Sequence, residues 1–89
     1  MKLYKQEGKM MNTKNFRIFV ETGVVESVVI FRPDSSSPWS VLVKGERIPP
    51  RFHEWIETAK QQVRQFADLG TAYGVVRDAG WSDSILLEG

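Results

Sequence analysis

With no cysteine and a single histidine, His53, among its 89 residues, this chain has neither a disulfide framework nor a cysteine–histidine metal cluster to hold it together. It must rely on apolar burial. A chain of this length buries only about 60–70% of its unfolded surface, so one domain with one modest core is expected. The same absence bears on function. Side chains that usually act as nucleophile, general base or transition-metal ligand are almost missing, so a binding protein is expected rather than an enzyme, with no cofactor, no metal and no small-molecule substrate.

Hydrophobic residues at 42% and charged residues at 26% are ordinary for a globular chain. The apolar stretch Val28-Val29-Ile30-Phe31 is far short of the ~20 residues of a membrane span. No membrane partner is expected. Gln6-Glu7-Gly8-Lys9 interrupts any apolar secretory core after Met1, and together with the lack of cysteine this makes the cytoplasm the expected location.

The net charge is +1, but it is unevenly placed. Lys2, Lys5, Lys9, Lys14 and Arg17 face Glu7 alone within residues 1–17, a balance of +4 that leaves −3 for residues 18–89. Residues 1–14 carry too little apolar surface to offset their ordering entropy, so they are expected to form a flexible basic arm ahead of a single domain over 15–89. Lys2, Lys5, Lys9, Lys14 and Arg17 are the candidate nucleic-acid contacts, because cations that neutralise phosphates need no fixed arm structure.

Phe16, Ile18 and Val20 alternate with Arg17, Phe19 and Glu21, and the β-branched run Val24 to Arg32 follows Thr22-Gly23. This predicts a β-hairpin with strands at about 15–21 and 24–32, Gly23 supplying the positive φ of the turn. Pro33 to Pro38 reads as an exposed loop. Trp39, Val41 and Val43 predict a third strand ending near Lys44, with a restart at Arg47-Ile48, which completes a β-meander.

Beyond Pro49-Pro50, two readings stand. Phe52, Trp55, Ile56, Ala59, Val63 and Phe66 have the spacing of one amphipathic helix over about 50–66. The other ends the helix near Trp55 and folds 56–66 as a hairpin about Lys60-Gln61, although neither residue favours a tight turn. Next, Asp68 caps a helix with Leu69, Ala72, Tyr73, Val76 and Ala79 inward, Gly80 ends it and Trp81 packs back on Val76. A final strand is expected from Ser84 to Glu88. The fold class is therefore α+β: an antiparallel sheet of three to five strands, its meander first, covered on one face by one or two helices.

Thr58-Ala59-Lys60, Val63-Arg64-Gln65-Phe66, Leu69, Ala72, Val76, Arg77, Gly80 and Ile85-Leu86-Leu87 resemble the C-terminal half of small proteins carried on bacterial plasmids and integrative elements, some labelled partition-associated. The likeness extends to Trp39 through Pro50 and consists mostly of apolar core positions. In those proteins an Arg-Gly pair usually occupies the place of Lys60-Gln61, which favours the hairpin reading. The resemblance implies an accessory role on a mobile element.

His53, with Glu54 beside it and Glu57 four residues on, suggests a histidine–carboxylate pair, but a zinc catalytic site needs three protein ligands and the chain has no second His or any Cys to complete one. A structural or solvated histidine is the preferred reading. Asp34-Ser35-Ser36-Ser37 lacks an adjacent base and reads as loop, and Gly70 to Gly74 matches no phosphate-binding fingerprint. Trp39, Trp55 and Trp81 are expected in the core rather than on a stacking platform. Gly70 and Gly74, four apart on a helix, would permit close approach, so Gly70, Gly74 and Trp81 are the candidate interface for a protein partner or a homodimer. The expected function is a non-enzymatic accessory protein with weak electrostatic DNA contact, the alternative being a protein-interaction module with no nucleic-acid role.

Overall fold

In the computed structural model, which describes residues 9–58, 60 and 62–89, Asn12 begins a helix where the alternation predicts a strand. The Asn12 side chain accepts from the Asn15 backbone N–H at 2.8 Å, and Asn15 Oδ1 accepts in return from the Asn12 N–H at 3.4 Å. This reciprocal cap opens α1 (Thr13–Glu21). Phe16, Phe19 and Val20 then share the inward stripe, while Ile18, grouped with Phe16 by alternation, is exposed. Gly23 does take a positive φ, of 78°, but it ends the helix: its N–H donates to the Val20 carbonyl and that of Val24 to the Phe19 carbonyl, a Schellman closure. The expected first hairpin is thus a capped helix followed by a strand.

Three antiparallel strands in succession form the centre of the sheet: β2 (Ser27–Phe31), β3 (Ser40–Lys44) and β4 (Phe52–Ile56). The meander exists, but one element later than expected. A parallel strand lies at each end, so the sheet is mixed rather than antiparallel throughout: β1 (Lys9–Met11) runs beside β4, and β5 (Leu86–Glu88) beside β2, giving the order β1-β4-β3-β2-β5. The arm boundary expected at residue 14 falls inside α1, and Met11 is wholly buried. Residues 1–8 of that arm lie outside the described residues.

The helix expected over 50–66 is absent among the described residues. A helix would place Phe52, Trp55 and Ile56 on one face, whereas the strand sends Phe52 to the edge of the Phe19 ring and Trp55 to Phe31 on the opposite side. The segment then folds back on itself, with Glu57 bridged to Val63 and the Arg64 N–H donating to the Ile56 carbonyl at 2.8 Å. For residues 56–66 this is the hairpin alternative, but the helix that it ended near Trp55 is the strand β4 instead. Thr58 Oγ1 accepts from the backbone N–H groups of Lys60 and Gln62, so a threonine side chain supplies turn chemistry in place of a glycine. The restart at Arg47-Ile48 is also a turn, closed by Ile48 N–H to the Gly45 carbonyl.

α2 (Leu69–Asp78) follows the expected pattern: the Asp68 carboxylate accepts from the Thr71 N–H at 2.9 Å, and Ala72 and Val76 are wholly buried. Gly80 has φ 99° and donates to the Arg77 carbonyl. Both helices pack on one face of the sheet, where Phe16, Ala72, Val76 and Trp81 join Val28, Ile30, Val41, Val43 and Ile56 in a single core.

Candidate functional site

No helix lies on the other face among the described residues, and its side chains follow from strand alternation. Val29 pairs with Leu86 on one side and Leu42 on the other, and Leu42 pairs with Trp55. One apolar row, Leu86–Val29–Leu42–Trp55, therefore crosses four strands in register. Val29 forms its floor at 5% exposure, Leu42 and Trp55 are half-buried, and Leu86 is 53% exposed. At the Trp55 end, Phe31, Pro33, Pro38, Trp55 and Val63 border a hollow of about 310 Å³, with the Phe31 and Trp55 rings 5.9 Å apart. Two charges flank the row: Lys44 and Glu88 are exposed, and both stand two residues from it on this face.

Trp39, Trp55 and Trp81 were all expected in the core, Trp81 being also a candidate interface residue; Trp39 and Trp81 are buried, whereas Trp55 is half-buried on the open face. Trp81 is buried, with its indole N–H donating to the Ser84 carbonyl. Gly70 is exposed and has only Asp68 near it, and a Cβ at Gly74 would meet nothing within 4 Å. Apart from the Asp68 carboxylate, whose Oδ2 a Cβ at Gly70 would meet at 3.0 Å, nothing described in the chain approaches either glycine closely.

A second cluster joins β1 to β4. Lys9 pairs with Phe52 and Met11 with Ile56, so two steps along β1 oppose four along β4, and this bulge draws His53 and Glu57 together. With its proton on Nδ1, His53 donates to the Glu57 carboxylate at 2.8 and 2.9 Å. The Met11 N–H donates to the same carboxylate at 3.2 Å, and the Glu57 N–H returns a bond to the Met11 carbonyl at 2.8 Å. His53 also borders a hollow of about 340 Å³ with Glu46, Glu54, Pro49 and Pro50. The spacing of His53 and Glu57 marked the pair, although a bulged strand and not a helix makes it.

Among the candidate nucleic-acid contacts, Lys14 and Arg17 are exposed on α1 and share a hollow with Thr13 and Asp78. Arg17 Nη2 donates to the Asp78 carbonyl at 3.0 Å, tying α1 to the end of α2. Lys9 contributes backbone to β1, while its side chain, Lys2 and Lys5 lie outside the described residues. In the exposed 33–38 loop the Asp34 carboxylate accepts from the Ser36 hydroxyl, the Ser37 hydroxyl and the Ser36 N–H, which hold its pKa below the ordinary carboxylate value. These serine hydroxyls are engaged by Asp34, not by His53.

The helices are also too short and polar for a membrane: no described helix is long and apolar enough to cross one. Among the described residues no group of three or more potential metal-ligating side chains converges. No family model, curated protein or solved structure matches this chain.

Proposed function

We propose that this chain is a small non-enzymatic binding protein that docks another protein chain on the open face of its sheet. The observation that carries this reading is the in-register row Leu86–Val29–Leu42–Trp55, ending at an aromatic hollow. Rows of this kind combine apolar area with a Trp anchor, the composition enriched at the centres of protein interfaces. His53 serves as a strut for Glu57, and the resemblance to partition-associated proteins supports an accessory role on a mobile element in the cytoplasm.

The test is affinity capture by the wild-type chain and by a Leu42→Asp variant checked for native circular dichroism. A protein retained by the first and lost by the second supports the reading. Equal retention by both, or none by either, overturns it for partners other than the chain itself.

A second reading rests on the basic groups. Lys14 and Arg17 project from one side of α1, one turn apart, and continue the +4 balance of residues 1–17, which suits weak, sequence-independent contact with DNA phosphates. Binding of duplex DNA would then fall steeply with salt and weaken on removal of residues 1–8 or on Lys14→Ala. Binding that ignores salt and both changes rejects it.

A further inference from the structure

Charge and register on the open face identify one occupant. Counting from Val29, Glu88 is the neighbour of Phe31, two residues onward, on the β5 side, and Lys44 is the neighbour of Ser27, two residues back, on the β3 side. Glu88 and Lys44 are therefore related by symmetry through Val29. So are Leu86 and Leu42, which adjoin Val29 on either side. Among the described residues neither Lys44 nor Glu88 has an ion-pair partner.

We infer that a second copy of this chain packs on the open face, about a two-fold axis passing over Val29 that sets Glu88 of each copy against Lys44 of the other. This deepens the docking reading above and rests on it. An in-plane axis perpendicular to the Glu88–Lys44 diagonal exchanges the two charges and keeps Val29 over Val29, so the contact is isologous and closes at two copies. With strands ~4.8 Å apart and residues ~3.4 Å apart, the diagonal runs ~17 Å and the strands of the two copies cross nearer to perpendicular than to parallel, the orthogonal class of sheet packing. Leu42 of each copy then rests beside Phe31 of the other. A net charge of only +1 leaves little self-repulsion to oppose the encounter.

Size sets the strength. Three strands of five residues and the three-residue β5 cover a plane of roughly 290 Å², below the ~800 Å² per partner of a standard interface even after allowing for side-chain relief, so the dimer is of the weak, concentration-dependent class.

The experiment is sedimentation equilibrium of the full chain from micromolar to millimolar concentration, with K44E and E88K alone and mixed. Each substitution turns two symmetry-related attractions into repulsions, so each variant alone dimerises about tenfold more weakly. Mixed in equal amounts, the two variants restore both pairs and form a heterodimer of wild-type strength. Both positions are exposed, and matching melting curves show that the variants fold. A monomer throughout the range overturns the inference, as does a dimer indifferent to these substitutions or a mixture no stronger than its components. Its failure differs from that of the docking reading: a monomeric chain that still retains a foreign protein in a Leu42-dependent manner keeps the surface and removes the second copy.

Discussion

Glu57 joins β1 to the start of β4 with one carboxylate. It is 6% exposed and accepts from Met11 on β1 and His53 near the start of β4, while its own N–H holds the Met11 carbonyl. Truncation leaves the Met11 N–H without its acceptor in a place water barely reaches, which costs about 1–3 kcal/mol. Glu57→Ala is therefore expected to lower the unfolding free energy by about 2 kcal/mol in urea titration. Glu57→Gln, which keeps an acceptor oxygen, should lose less, and equal losses would show that the Met11 bond is not the source. Sequence spacing placed His53 near Glu57, but the third participant was out of reach. Met11 lies 46 residues away from Glu57, and only strand pairing brings it there.

At the scale of elements, short periodic windows admitted two answers. Residues 16–20 satisfy both a period of two and the i, i+3, i+4 pattern of a helix, and the arbiter was Asn12 with Asn15, whose mutual bonds start α1. Asn12→Ala is expected to cost about 1 kcal/mol, read as a lower melting temperature, with hydrogen exchange accelerated first in Thr13 to Phe16. A uniform rise across the sheet would contradict a local cap. Residues 52–56 posed the converse problem, with helical spacing realised as a strand because Phe52 finds Phe19 and Trp55 finds Phe31 on opposite faces. Where a cap, a glycine and a long stripe agreed, as in α2 between Asp68 and Gly80, the element stands as expected.

On the scale of the whole molecule, the two parallel edge strands enclose an antiparallel centre, and the N-terminal one is part of the body. Removing residues 1–14 deletes β1, the wholly buried Met11 and the Asn12 cap; loss of Met11 burial alone is worth about 2–3 kcal/mol or more. That truncation is expected to melt well below the full chain. Equal melting of the full chain and the 1–14 deletion would refute the place of β1 in the fold. Local information alone determined the α+β class, the third strand, the exposed 33–38 loop and the second helix, because each rests on turn chemistry, capping or an uninterrupted pattern within a few residues. Tertiary structure decided strand order, the parallel edges, the state of 13–21 and 52–56, and which tryptophan meets solvent. Those outcomes depend on partners dozens of residues apart, and a pattern along the chain does not encode which of its two faces the rest of the molecule will cover.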